Sequence, residues 1–327
     1  MSKELCPGLV CGRRMAAMCG ASAASTRRFG RPEWRFDAPQ REQAPVISYF
    51  QAIVLGLLQG LAELFPISSL GHTVLIPAVL HWNIDRASDA FLSFLVLTHL
   101  ATALVLIGFF WRDWVKIVLG ILRSLRDREI RKDDTYARIG WLLIVSTIPA
   151  GILGLLFEKA LQDLFAAAEI VAIALVLNGG VLYAVELLRR RDVAEGPPDD
   201  SKLAALSYRQ AIAIGVAQCF ALIPGFSRTG LTMTGGLLSG LSHENAGRYS
   251  FLLATPIIFA AAVLKVPDLF ANGGQGVGEA FAGAVCAGVS AYLSVRFLVK
   301  YFETRSLRPF AIYCVVAGLV ALVLVRL

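Results

Sequence analysis

The chain has 327 residues, 56% of them hydrophobic and only 17% charged, with a mean hydropathy of +0.64. Soluble domains are about one-quarter charged, so this composition excludes an ordinary soluble enzyme and indicates a polytopic helical membrane protein read as one unit. The net charge of +7 does not imply nucleic acid as a partner, because Lys and Arg cluster between apolar runs, where they orient helices.

Residues 1–45 are rich in Arg, Ala, Ser and Pro and lack a sustained apolar run. They read as a disordered extension or the product of a start codon placed too far upstream, with the membrane domain at 46–327. Cys6, Cys11 and Cys19 lie there, and Cys219, Cys286 and Cys314 are isolated in apolar runs. No pair has metal-site spacing, so structural thiols are expected.

From 46 to 82 the chain is apolar but broken by Pro66, Gly71 and Pro77, which favours two half-helices, 46–65 and 69–80, over one span. Residues 89–111 read as a spanning helix ending in the interfacial group Trp111, Arg112, Asp113 and Trp114. A basic, partly amphipathic connection follows, then spans at 137–157 and 170–188 and a polar linker at 192–202. The second half repeats the plan, with a broken apolar stretch at 208–241 and spans at 249–266, 279–298 and 309–325.

Loops near 112–138, 189–209 and 299–308 are basic and belong in the cytoplasm; those near 158–169 and 267–278 face outward. This holds only if 208–241 enters and leaves on the cytoplasmic side as a re-entrant hairpin, its broken backbone buried in protein. By the same logic 46–82 dips in from outside. The expected fold is all-α, with six transmembrane helices plus two re-entrant helical hairpins. The seven arginines and one lysine of the extension then lie outside, against the charge rule.

Gln51, Gly56 and Gln59 recur as Gln210, Gly215 and Gln218 at a constant offset of 159. Beyond them Pro66, Ser68 and Ser69 answer Pro224 and Ser227 with a one-residue slip. Three spans, an odd number, separate the copies, so the repeats (46–188 and 208–327) have inverted topology. Such repeats place a site near the midplane, where the helix breaks meet.

Polar groups at those breaks are costly in a membrane and point to function. Gln59 and Glu63, four apart, share a helix face. A buried carboxylate needs a cation, a proton or strong donors, and a divalent metal bridging Glu63 to phosphate oxygens is one answer. Ser68, Ser69 and His72 follow Pro66. Ser69 and His72 are three apart, a hydroxyl beside an imidazole, enough for nucleophilic or general-acid work; Ser68 also suits an N-cap. In the second stretch Arg228 is a permanently charged fork matching phosphate, with Ser227, Thr229 and Thr232 nearby and a new helix start adding anion affinity. His99 and Asn178, mid-span, are expected to make interhelical hydrogen bonds, and Ser242, His243 and Glu244 to form a capped helix start.

The two stretches together resemble the undecaprenyl-diphosphate phosphatase (bacitracin-resistance) family of bacterial membranes. Gln59, Gly60, Glu63, Pro66, Ser68, Ser69, Gly71 and His72 match its first signature, and Pro224, Gly225, Ser227, Arg228, Thr229 and Thr232 its second. Leu70 stands where Ser or Thr is usual and Thr229 where Ser is usual; Gln59 in place of Glu removes one metal ligand. The resemblance implies hydrolysis of undecaprenyl diphosphate to undecaprenyl phosphate and phosphate, recycling the peptidoglycan carrier lipid and giving bacitracin tolerance. It also implies Mg2+ or Ca2+ dependence and an inner-membrane location with the site facing the extracytoplasmic side. Implied roles are Glu63 as metal- or water-handling carboxylate, Ser69 or His72 as nucleophile or proton donor, and Arg228 as phosphate clamp. The partners are an isoprenyl diphosphate lipid and the membrane, with a homodimer left open. The rival reading is an anionic-lipid flippase or transporter built on the same inverted repeat.

Overall fold

A computed structural model describes residues 47–86, 88–157, 161, 164, 167–189, 199–271 and 276–327. The extension at 1–45 and most of the polar linker lie outside the described residues, as do parts of the two outward loops. Among the described residues there is no strand. The helices are α1 (Tyr49–Leu64), α2 (Ser69–Val79), α3 (Asp89–Phe109), α4 (Trp111–Asp127), α5 (Thr135–Leu156), α6 (Ala168–Leu188), α7 (Asp200–Ala204), α8 (Tyr208–Cys219), α9 (Arg228–Leu238), α10 (His243–Ala271), α11 (Val277–Phe302) and α12 (Arg308–Leu324).

Five helical stretches are long and apolar enough to cross a bilayer: Phe91–Phe109, Thr135–Leu156, Ala168–Leu188, His243–Leu264 and Val277–Phe302. The sixth expected span, Arg308–Leu324, is apolar but has 17 residues, about 25 Å at 1.5 Å per residue. Large apolar side chains remain exposed around the bundle, Leu155, Phe281 and Leu293 among them, a surface suited to lipid. The chain is a multi-pass membrane protein. The basic connection after α3 is itself a helix, α4. Its Ile117, Gly120 and Ser124 face inward while Val118, Leu122 and Leu125 stay exposed.

The copies at offset 159 fold alike. Ser48 and Ser207 both form capping boxes: each hydroxyl accepts from the amide of Gln51 or Gln210 at 3.3 Å, and each glutamine accepts back at 2.8 Å. Gly56 lies so close to α11 that a Cβ would sit 2.2 Å from the Gly283 carbonyl oxygen. Gly215 stands equally close to α5, at 2.4 Å from that of Ser146. The first helix of each broken pair thus docks on the second long apolar helix of the other half, and glycine is the residue that permits the approach.

One expectation is corrected. Ser68 and Ser227 are both N-caps, accepting from Gly71 and Gly230 at 3.1 Å each. The register across the break therefore returns to 159, and the position matching Arg228 is Ser69. The prolines alone slip, Pro224 coming one residue early, and the second copy's last turn is 3-10 helix (Phe220–Leu222) where α1 stays α-helical to Leu64.

Candidate functional site

Pro66 and Pro224 lack the N–H that would continue each helix, so both chains turn out of helical geometry. Ser68 is held at φ 70, and Gly225 takes φ +108 where a Cβ would meet the Val171 carbonyl oxygen at 2.4 Å. Backbone groups freed in this way need partners, since none can come from lipid. Each break supplies the other. The Gly225 amide donates to Ser68 Oγ at 3.2 Å, Ser227 Oγ to the Phe65 carbonyl at 3.4 Å, and Thr229 Oγ1 to the Glu63 carbonyl at 2.9 Å. Asn178 on α6 clamps both: its Nδ2 donates to the Pro66 carbonyl (3.2 Å) and its Oδ1 accepts from the Ser227 amide (3.0 Å).

This interlock brings the N-termini of α2 and α9 together over a cleft lined by Ala62, Glu63, Ser69, Leu70, Ala221, Phe226, Ser227 and Arg228. Two positive helix ends facing one space favour an anion. The space is about 10 Å³, room for roughly one water. A phosphate group enters only if the walls, Leu70 and Phe226 among them, move apart.

Glu63 is the centre of the cleft and is 5% exposed. Its Oε2 accepts from Gln59 Nε2 at 3.0 Å and from Ser69 Oγ at 2.5 Å, and lies 3.2 Å from His99 Nε2. Its Oε1 faces Arg228 at 3.6 Å. Among the described residues Arg228 Nη1 and Gln59 Oε1 have no hydrogen-bond partner, and on the matching helix neither end of the Gln218 amide has one. An unmade hydrogen bond of this kind costs about 1–3 kcal/mol, which a bound ligand would recover.

The remaining expected residues are placed differently. His72 turns from Ser69: its Nδ1 is 2.7 Å from the Ser68 carbonyl and its Nε2 is 2.7 Å from the Tyr313 hydroxyl, the two rings stacking. It braces the Ser68 turn. Ser68 and Ser227 act as caps and cross-braces. Thr232 is buried with its hydroxyl on the Arg228 carbonyl (2.8 Å) and beside Ser250 Oγ (2.5 Å), one turn behind the cleft.

His99 and Asn178 make hydrogen bonds between elements, as their mid-span positions suggest, but their partners are the site itself. His99 Nδ1 is 2.7 Å from the Leu95 carbonyl, which aims Nε2 at Glu63. Only the apolar surroundings of His99 signal this in the sequence. His243 begins α10, as expected, and also reaches Glu186 at 2.7 Å.

Among the described residues no cluster of three His, Cys, Asp or Glu could cage a metal. One carboxylate, Glu63, and one unpartnered amide oxygen, Gln59 Oε1, nevertheless suit a hard cation that takes most of its ligands from phosphate and water, as Mg2+ commonly does.

Broken helices, inward polar groups and a cleft that sets Arg228 and two helix N-termini around Glu63 define a membrane protein suited to a phosphorylated amphiphile. The sequence model of the family described as bacitracin resistance protein BacA matches residues 52–320, and the chain belongs to that family. It is 49% identical over 298 residues to an undecaprenyl-diphosphatase of Mycolicibacterium paratuberculosis (strain ATCC BAA-968 / K-10), covering 85% of this chain and 97% of that protein. It is 44% identical over 280 residues to an undecaprenyl-diphosphatase of Acidiphilium cryptum (strain JF-5), covering 84% and 97%. To undecaprenyl-diphosphatase 2 of Frankia alni (strain DSM 45986 / CECT 9034 / ACN14a) it is 41% identical over 332 residues, covering 83% and 96%.

Proposed function

We propose that the chain hydrolyses undecaprenyl diphosphate to undecaprenyl phosphate and inorganic phosphate, returning the carrier lipid to peptidoglycan synthesis and giving bacitracin tolerance. The observation that carries this reading is the cleft in which Glu63, Ser69 and Arg228 meet at two helix N-termini, in a chain of this family.

Arg228 and the two helix ends bind the terminal phosphoryl group and stabilise the charge that builds on its oxygens during transfer. Ser69, already donating to Glu63, is the nucleophile: its Oγ bonds to the terminal phosphorus, its proton passes to Glu63, and the bond to the bridging oxygen breaks. Undecaprenyl phosphate leaves with that oxygen. Glu63 passes the proton on to the departing phosphate oxygen and, ionised again, deprotonates a water whose oxygen bonds to phosphorus. The Ser69 Oγ–P bond breaks, phosphate leaves, and the proton on Glu63 returns to Ser69 Oγ. His72 acts indirectly by holding the turn that presents Ser69. Glu63 and Gln59 would hold Mg2+ or Ca2+, whose charge would neutralise the diphosphate.

In the membrane, α3, α5, α6, α10, α11 and α12 span, and α1–α2 and α8–α9 are re-entrant hairpins of an inverted repeat. The matched capping boxes, glycines and cap serines support this arrangement. α12, short of the hydrocarbon thickness of about 30 Å, would be met by local thinning. With the basic loops inside a bacterial inner membrane, the cleft opens to the extracytoplasmic side.

The test is phosphate release by purified protein from the C55 diphosphate or a shorter isoprenyl diphosphate, with and without a chelator. Release that is lost with chelator and restored by Mg2+ or Ca2+ is expected. Movement of the lipid across vesicles without release of phosphate would overturn the reading.

A further inference from the structure

A groove of about 790 Å³ lies between the end of α11 and the start of α12, sharing no lining residue with the cleft. Its walls change character along their length. Toward the middle of α11 stand Leu293 and Phe297, 61% and 53% exposed. Toward the loop stand Arg296, Lys300 and Arg305. Arg296 and Lys300 are four apart and project from one helix face. Tyr301, whose hydroxyl donates to the Ser306 carbonyl at 3.2 Å, fixes the loop that carries Arg305.

Many cations elsewhere on the protein are neutralised: Arg123 meets Asp134, Arg131 meets Asp127, Arg248 meets two aspartates and Arg326 meets Glu169. Arg296, Lys300 and Arg305 have no carboxylate within 4.0 Å among the described residues. A bare topogenic charge needs no cavity beneath it, whereas these three surround one whose lower wall is apolar. An apolar foot below a cationic rim is the complement of an amphiphile with an anionic head, and basic pockets between transmembrane helices on the cytoplasmic side are suited to such headgroups.

We propose that this groove binds the headgroup of an anionic phospholipid of the cytoplasmic leaflet, with Arg296, Lys300 and Arg305 on the phosphate and Leu293 and Phe297 along the first carbons of a chain. Its side of the membrane rests on the orientation given above; the binding itself does not rest on the phosphatase reading. Phe297 stacks on Phe65, with centroids 5.9 Å apart and planes at 11°, so the groove floor backs onto the first hairpin break.

The test is retention of phosphatidylglycerol, against phosphatidylcholine, by the purified full chain in neutral detergent, read by native mass spectrometry. Wild type is expected to keep one phosphatidylglycerol preferentially. A Lys300→Gln/Arg305→Gln variant should hold it about ten- to thirtyfold more weakly, given the contribution of each basic residue near an anionic lipid. Phosphate release measured in neutral detergent should be unchanged in that variant, which also shows that it is folded. Arg126→Gln, an exposed cation on α4, serves as the control and should leave retention intact. Equal retention of the two lipids, equal loss in the Arg126→Gln control, or displacement of the lipid by millimolar inorganic phosphate would each overturn the proposal.

Discussion

Arg228 and Arg248 are both largely buried arginines facing carboxylates, yet one is finished and the other is not. Arg248 on α10 places Nη2 at 2.8 Å from Asp113 and Nη1 at 2.5 Å from Asp200, joining α10 to α4 and α7. Asp200 also accepts from the Tyr136 hydroxyl at 2.5 Å, and Lys116 caps that hydroxyl at 3.0 Å, so the cluster is closed on α5 as well. Arg228 stands 3.6 Å from its single carboxylate, with a buried Nη1 that makes no hydrogen bond. A charge with both terminal nitrogens paired to carboxylates on other helices holds helices together. A charge left with a spare donor, facing a carboxylate that is also held by Gln59, whose own amide oxygen is unpartnered, waits for something else. The difference separates scaffold from site without appeal to position in the chain.

Substitutions can break that contrast. The largest effect is expected from Arg248→Ala, which strands two aspartates: about 3–5 kcal/mol of stability should be lost, read as a fall in thermal midpoint in detergent. The folded fraction should still release phosphate normally. Arg228→Ala should do the reverse, costing about 10²–10³-fold in turnover, or about 2.7–4 kcal/mol of transition-state stabilisation, with the thermal midpoint held. A parallel fall of activity and stability in both variants would erase the distinction.

His99→Ala sharpens the picture within the site. Among the described residues its polar partners are Glu63 and the Leu95 carbonyl, so its removal should lower turnover about 10–100-fold and weaken apparent Mg2+ affinity, leaving KM for the lipid nearly unchanged. Rescue by His99→Gln, which can still donate to Glu63, is expected to be partial. The smallest effect is expected at the glycine contacts. Gly215→Ala should overpack the α8–α5 crossing by about 1–3 kcal/mol, with Gly56→Ala matching it at α1–α11, both measured as unfolding midpoints. Unequal costs at the two glycines would argue against equivalent roles.

Much of this was legible in the amino-acid order. Helix breaks announce themselves through Pro66 and Pro224, and Gln59, Glu63, Ser69 and Arg228 stand out because polar groups in apolar runs are expensive. What stayed hidden depended on rotation and pairing. Whether His99 faces lipid, a helix or Glu63 is set by how α3 turns against α1, which no local pattern encodes. Asn178 looks like any mid-span amide until the two breaks are superposed on it. The clamp at Arg248 is built from Asp113, Asp200, Tyr136 and Lys116, charges that in sequence look like ordinary loop residues. Spacing put Ser69 beside His72, but hydrogen bonding drew them apart, Ser69 to Glu63 and His72 to Ser68 and Tyr313. The match of Ser69 with Arg228 was masked by the second proline, which stands one residue early while the cap serines keep the offset of 159.

The central claim is that the unfinished cleft cleaves a lipid diphosphate. The most direct measurement is phosphate release from undecaprenyl diphosphate by purified wild type, Arg228→Ala and Arg248→Ala, each at the same folded concentration. Wild type and Arg248→Ala should turn over at similar rates while Arg228→Ala falls by two to three orders of magnitude. Turnover by Arg228→Ala equal to wild type would contradict the account.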